Sequence, residues 1–379
     1  MKFTIHKADL EKVLLAVNKS LLSKSNLPIL ANIMVSASRE RLEVLSTDLE
    51  TATRAWLKCK VEKEGQTTLP GRILTEFISQ LPDQELVFEK LGQEVLLTTK
   101  GFSARLATMA PEDFPAIPKI EKGHHLEING GELAQAVLRV AFSAAADEGR
   151  PVLTGVLCEV EKTTLTMVAT DGYRLSFQKT PLINKEGVSL KMIIPAKTLV
   201  EVGKLVSEME KSGEESVNLV VSESLNQINF KVGNVEFTSR LIEGEFPGWQ
   251  KIIPEKFTSR AIIGREELMR QIRIASIFAR DSGSIVRFKL ESSGKGKAQV
   301  LKIMASNNQV GSNETSCEIE LTGGGGEIAF NFRYLLEMLS SVSTDEVNFE
   351  MIESLNPGKL TIPGDNNYFH IIMPVRLQS

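Results

Sequence analysis

FSARL, residues 102–106, comes back as FTSRL at residues 237–241, and that echo decides how the chain has to be read. A duplicated unit sets the fold before any local motif does. The offset is 237 − 102 = 135 positions, and each copy is followed by an acidic residue, Phe and Pro: Asp113-Phe114-Pro115, then Glu245-Phe246-Pro247. A second echo runs through the whole chain. Thr47-Asp48 stands 170 − 47 = 123 positions before Thr170-Asp171, and Ser306-Asn307 stands 306 − 170 = 136 positions after it.

Helical patterns keep the same spacing. DLEKVLLAVNKSL near Leu10, ELAQAVLRVAFS near Leu133 and ELMRQIRIASIF near Leu268 each follow a short alternating run. A second set comprises GRILTEFISQL from Gly71, AKTLVEVGKLV from Ala196 and FRYLLEMLSSV from Phe332. Apolar residues recur at three and four in all six, so each buries one stripe. Between them the alternation is that of strands. Ala55, Leu57, Cys59 and Val61 face one way and Trp56, Lys58 and Lys60 the other. Gly233-Asn234 between two such runs reads as a two-residue hairpin turn. The expectation is an α+β chain of three repeated domains, each β-sheet with two helices, spanning residues 1–122, 123–253 and 254–379.

Composition agrees with that class. The 379 residues are 42% hydrophobic and 24% charged, with a net charge of −4, which suits a globular chain of two or three domains. The start, MKFTIHKADLEKVLLAV, carries no signal-peptide pattern, and no window is apolar enough to span a membrane. Lone Cys59, Cys158 and Cys317 suggest a reducing, cytoplasmic setting without disulfides.

Catalytic chemistry is hard to find. Asp171 has counterparts in Asp48 and Asn307, and an amide at one of three equivalent positions points to turn geometry. An enzyme using Asp48 or Asp171 is the rival reading. His6, His124, His125 and His370 form no metal spacing, and the adjacent pair reads as solvated. The Gly294–297 and Gly323–326 runs lack the following Ser or Thr and helix of a phosphate loop and read as hairpin turns. Basic residues, by contrast, line up on helices: Lys197, Lys204 and Lys211; Lys12 and Lys19, with Lys24 beyond; Arg139; Arg270, Arg273 and Arg280. One such stripe is ordinarily a solvated face. Four in repeated units suggest a shared surface that attracts phosphates without reading bases.

Several segments together resemble the bacterial beta sliding clamps, the beta subunits of DNA polymerase III. They are MKFTI at 1–5, LPILANI at 27–33, STDLE at 46–50, VATDGYRLS at 168–176, EFPGWQKIIP at 245–254, FNFRYLLEML at 330–339 and IIMPVRL at 371–377. The resemblance implies a non-catalytic head-to-tail homodimer without cofactor or metal, whose six domains form a ring around double-stranded DNA. It implies a groove between the second and third domains for short peptides of the polymerase III alpha subunit, the clamp loader, other polymerases and repair proteins. By motif the groove residues are Leu153, Thr170, Gly172, Tyr173, Arg174, Leu175, Pro247, Ile252, Asn331, Tyr334, Leu355, Ile372, Met373, Pro374, Val375, Arg376 and Leu377. Lys24, Arg72, Arg150 and Lys197 are the implied DNA contacts, and Leu106, Ile277 and Phe278 the implied dimer contacts. Three departures bear on the groove: Gly283 where a bulky residue is usual, Lys251 where arginine is common, and the Gln378-Ser379 extension. The runner-up is a peptide-binding scaffold of the same fold that does not encircle DNA.

Overall fold

The computed structural model describes residues 1–22, 26–117, 120, 122–147, 149–184, 187–210, 216–292 and 299–376. Lys24, Lys211, Leu377, the Gln378-Ser379 extension and the glycine run at 294–297 lie outside the described residues. Helices α1 (Lys7–Val17), α2 (Gly71–Gln80), α3 (Gly130–Val140), α4 (Ala196–Glu210), α5 (Arg265–Ala279) and α6 (Phe332–Ser341) fall where the spacing puts them, two to each stretch. In α5 the buried set is Leu268, Met269, Ile272, Ala275, Ser276 and Ala279, the three-and-four spacing of a single stripe. α6 starts where Asn331 Oδ1 accepts the Arg333 N–H, one of the donors a helix start otherwise leaves unmet. None of the helices among the described residues is long and apolar enough to cross a membrane.

In space the chain forms two compact units. The first holds Met1–Ala134, Leu182–Lys185 and Thr198–Leu241; the second holds Gln135–Pro181, Glu186–Lys197 and Ile242–Ser379.

The first unit has a five-stranded and an eight-stranded antiparallel sheet. The FTSRL strand, Val235–Arg240, pairs with Thr51–Lys58 from Val235↔Ala55 to Ser239↔Thr51, so strands far apart in sequence finish one sheet. The Gly233-Asn234 hairpin forms as read, with Val232 opposite Val235. The alternation from Ala55 to Val61 is not one strand. Thr51–Lys58 lies in the eight-stranded sheet and Lys60–Lys63 in the five-stranded sheet, with Cys59 between. Period-two patterning reports facing, and it runs on unbroken when a chain steps from one sheet to the next.

The second unit has a nine-stranded and a four-stranded sheet. Arg174–Pro181 pairs with Asp365–Ile372, from Arg174↔Ile372 to Gln178↔Tyr368. Phe288, Phe330 and Phe349 meet edge to face with centroids 5.8 Å apart, an arrangement that adds to their area burial. The Gly323–326 run is not a hairpin. Glu320–Gly323 pairs with Ser259–Gly264 in the nine-stranded sheet, whereas Gly326–Asn331 pairs with Ile285–Ser292 in the other. The crossing is tight: a Cβ on Gly323 would sit 2.0 Å from the Thr258 carbonyl oxygen, and one on Gly325 2.4 Å from that of Leu290. Glycine is required there by the neighbouring backbone.

Two strands end their sheets. Phe102–Ala107, the FSARL strand, is the last of the five-stranded sheet, and Gly311–Glu318 is the last of the four-stranded sheet. Among the described residues each is paired on one side only.

Candidate functional site

The VATDGYRLS segment forms a turn between the strands Thr164–Thr170 and Arg174–Pro181. Thr170 Oγ1 accepts the Gly172 N–H at 3.0 Å and donates to the Arg174 carbonyl at 2.6 Å. Asp171 Oδ1 accepts the N–H groups of Tyr173 and Arg174 at 2.8 and 3.0 Å. Gly172 takes φ 92°, which side chains disfavour. Asp171 is therefore committed to backbone geometry, and the same holds for Asp48, which accepts from Glu50 and Thr51, and Asn307, which accepts from Gln309.

Arg174 is buried beneath this turn, 8% exposed. Its Nε donates to Asp171 Oδ2 at 3.1 Å, its Nη1 pairs with Glu337, and its Nη2 donates to the Phe142 carbonyl at 2.7 Å. The guanidinium lies 4.5 Å from the centre of the Tyr334 ring and 5.3 Å from that of Phe142. Tyr334 and Glu337 sit three apart on α6, so one helix face supplies both partners. Burial, with the nearby Asp171 carboxylate, raises the Tyr334 phenol above its ordinary value. A cation satisfied on every side costs little to bury and fixes what surrounds it.

The chain end closes the same site. Ile372 pairs opposite Arg174, the Met373 N–H donates to the Tyr173 carbonyl at 2.8 Å, and the Val375 N–H donates to the Ala329 carbonyl at 2.8 Å. Met373, Pro374 and Val375 are half-buried and Arg376 is exposed. Leu153 and Leu175 are buried in one cluster with Val168, Phe246 and Ile371. Burying a leucine of this kind contributes about 2 kcal/mol. Tyr173 and Leu355, 62% and 61% exposed, are apolar surface in solvent, and Ile252 and Pro247 are exposed as well. Among the described residues no hydrogen bond or ring contact ties Pro247, Ile252 or Leu355 to the turn. Sequence reading missed Phe142 and Glu337. The signal for both was Arg174 itself, a cation at a strand position that alternation buries and that must find partners.

The implied DNA contacts have separate settings. Arg72 is exposed on α2 and paired to Glu76 at 3.0 Å; Lys197 is exposed in the first turn of α4. Arg150 is exposed and donates to the Asp171 carbonyl at 3.0 Å. Two members of the basic stripes do not face solvent as read. Arg139 is buried, 3.0 Å from Asp365, because the second unit closes a polar cluster over it. Lys19 lies beyond the end of α1, which stops at Val17, and meets Glu201 and Glu208 at 3.6 and 3.9 Å. Arg270, Arg273 and Arg280 are exposed on or just beyond α5. Of the implied dimer contacts, Ile277 is 59% exposed, Phe278 packs partly on the core and Leu106 is buried.

Ser176 Oγ and His370 Nδ1 are 2.7 Å apart, but both side chains are sealed from solvent. Burial, then the Arg174 charge, pushes the imidazole down to about 3, so it stays neutral. No group of three or more His, Cys, Asp or Glu suited to a metal occurs among the described residues.

Models of the N-terminal, central and C-terminal domains of the DNA polymerase III beta subunit match residues 1–118, 127–248 and 250–376. The beta sliding clamp of Synechocystis is 28% identical, with 100% of both chains aligned. That of Staphylococcus aureus is 29% identical over 99% of each. Among solved structures, the DNA polymerase sliding clamp of Bacillus subtilis superposes with a TM-score of 0.92 at 26% identity, covering 100% of both chains. A sliding clamp of Pseudomonas aeruginosa bound to griselimycin gives 0.92 and 26%, again over 100% of both.

Proposed function

The chain belongs to the DNA polymerase III beta-subunit family, and from that premise we propose that two copies close head to tail into a six-domain ring around duplex DNA. It is a DNA polymerase processivity clamp. Its three domains are taken as residues 1–122, 123–253 and 254–379, in the cytoplasm.

One observation carries the ring: the repeat leaves one open edge of each kind. Val235–Arg240 pairs with Thr51–Lys58, and Asp365–Ile372 pairs with Arg174–Pro181. By the repeat, Phe102–Ala107 is the first copy of one partner and Gly311–Glu318 the third copy of the other, and both stand at sheet ends. An unpaired edge is a template for another chain. A second copy offering its Gly311–Glu318 edge to Phe102–Ala107, and the reverse, is a heterologous contact that closes after two chains. Exposed Ile277 lies at this contact with Phe278 and Leu106.

A closed ring is held on DNA by topology, so its phosphate contacts can stay weak. Lys24, Arg72, Arg150 and Lys197 supply them, and screening over about 8 Å at physiological salt leaves room for water and sliding. The clamp acts by tethering, without chemistry of its own. Its groove takes leucine and phenylalanine side chains of short peptides from the polymerase alpha subunit, the clamp loader, other polymerases and repair proteins. The groove residues are those around Arg174: Leu153, Thr170, Gly172, Tyr173, Leu175, Pro247, Ile252, Asn331, Tyr334, Leu355 and residues 372–377. Buried Arg174 holds the walls, while exposed Tyr173, Ile252 and Leu355 and the adaptable Met373 meet the peptide.

Light scattering tests the closure. The chain should have the mass of a dimer at micromolar concentration and Ile277→Asp that of a monomer with an unchanged circular dichroism spectrum. A monomeric parent chain would leave only the non-encircling scaffold.

A further inference from the structure

The repeat builds the same junction twice, and the two copies are filled differently. Ser20 Oγ lies 2.8 Å from Thr53 Oγ1 in the first unit; 143 − 20 = 123 positions on, Ser143 Oγ lies 2.8 Å from Ser176 Oγ in the second. That offset carries Ala16 onto Arg139 and Ala55 onto Gln178. Across the ladders Ala55 faces Val235, and Gln178 faces Tyr368. In the second unit the space is full: Arg139 lies 5.3 Å over the Tyr368 ring, donates to Gln178 and pairs with Asp365. In the first unit the same three places hold two alanines and a valine. Beside them is a cavity of about 900 Å³, with Ala16, Val235, Leu205 and Trp56 in its wall.

Its charged lining is unequal. Lys12, Arg41 and Lys58 have no carboxylate within ion-pair distance among the described residues. Arg41 instead stands 4.7 Å over the Trp56 ring. Against these three cations stand two unpaired carboxylates, Asp9 and Glu40, since Glu208 is engaged by Lys19 at 3.9 Å. An apolar hollow of this size with a few charged groups at its edge has the character of a small-molecule site.

We propose that this cavity of the first unit binds a small aromatic carboxylate. The ring takes the place that Tyr368 fills in the other junction, and the carboxylate meets the cations of Lys12, Arg41 and Lys58. Guanidinium beside an aromatic face suits both parts of such a ligand.

Calorimetric titration of the full-length protein with sodium benzoate tests this, with benzyl alcohol as the uncharged ring. Benzoate should bind once per chain, and benzyl alcohol about tenfold more weakly. Val235→Phe, which fills the hollow, should remove binding, and Arg41→Gln, a surface change, should weaken benzoate about tenfold while leaving benzyl alcohol unchanged. Absence of benzoate binding at millimolar concentration, equal affinity for the two probes, or full affinity in Arg41→Gln would each overturn the proposal. So would full affinity in a natively melting Val235→Phe. Where Val235→Phe does not fold, Arg41→Gln decides.

Discussion

The turn Thr47–51 and the turn Thr170–174 are one piece of backbone used to different ends. In both, the threonine hydroxyl donates to a carbonyl four residues on and accepts an N–H two residues on. In both, the aspartate Oδ1 accepts two further N–H groups. The third residue has positive φ in each, 76° at Leu49 and 92° at Gly172. The fifth residue separates them. Thr51 makes a modest hydroxyl contact to Ser20 at 3.1 Å, whereas Arg174 gathers Asp171, Glu337, Phe142 and Tyr334 around a buried cation. The junctions beneath differ as well: the residue opposite Thr53 is Phe237, and the residue opposite Ser176 is His370. The repeat fixes backbone geometry, and function attaches to the few positions where side chains diverge.

Removing the divergent cation should show this most strongly. Arg174→Ala leaves two carboxylates without their partner and should lower unfolding free energy by about 3 kcal/mol. Thr51→Ala loses a single hydroxyl bond and should cost about 1 kcal/mol. Urea unfolding of the two variants measures the gap, and equal losses would mean the arginine cluster contributes nothing special.

Acid should find the second difference. His370 is held neutral with its folded pKa lowered from 6.5 to about 3, so the unfolded chain binds the extra proton between those values. Stability from this group is complete above pH 6.5 and is lost as pH falls toward 3, with a slope of up to about 1.4 kcal/mol per pH unit. His370→Phe, which copies Phe237, should flatten the acid limb by that amount. An unchanged acid limb would exclude the imidazole as its source.

The glycine and leucine at the third turn position give the smallest effects, of opposite sign. Gly172→Ala meets disfavoured φ, with Arg150 Nη1 3.2 Å from the new Cβ, and should cost about 1 kcal/mol. Leu49→Gly relieves its own positive φ at some entropic cost and should gain about 0.5 kcal/mol. Thermal melts would resolve both; a stabilised Gly172→Ala would contradict the shared geometry.

Much of this was legible beforehand. The echo of FSARL in FTSRL, the helix stripes and the Gly233-Asn234 hairpin carry through because they rest on local periodicity and turn chemistry. The structural role of Asp171 was legible for the same reason, through Asn307. What the sequence withheld is long-range. Arg174 and Glu337 are 163 residues apart, and nothing in either segment names the other. Arg139 looked like one more cation on a helix, but its burial depends on Asp365 and Tyr368 arriving from the far end of the chain. Alternation likewise told which way Ala55 to Val61 face and not that Cys59 separates two sheets.

The proposed ring is tested most directly by retention on DNA of two shapes. After loading onto a nicked circular plasmid, the protein should stay bound through gel filtration and leave once a single cut makes the plasmid linear. Equal retention on both forms, or equal loss from both, would contradict a clamp that holds DNA by encircling it.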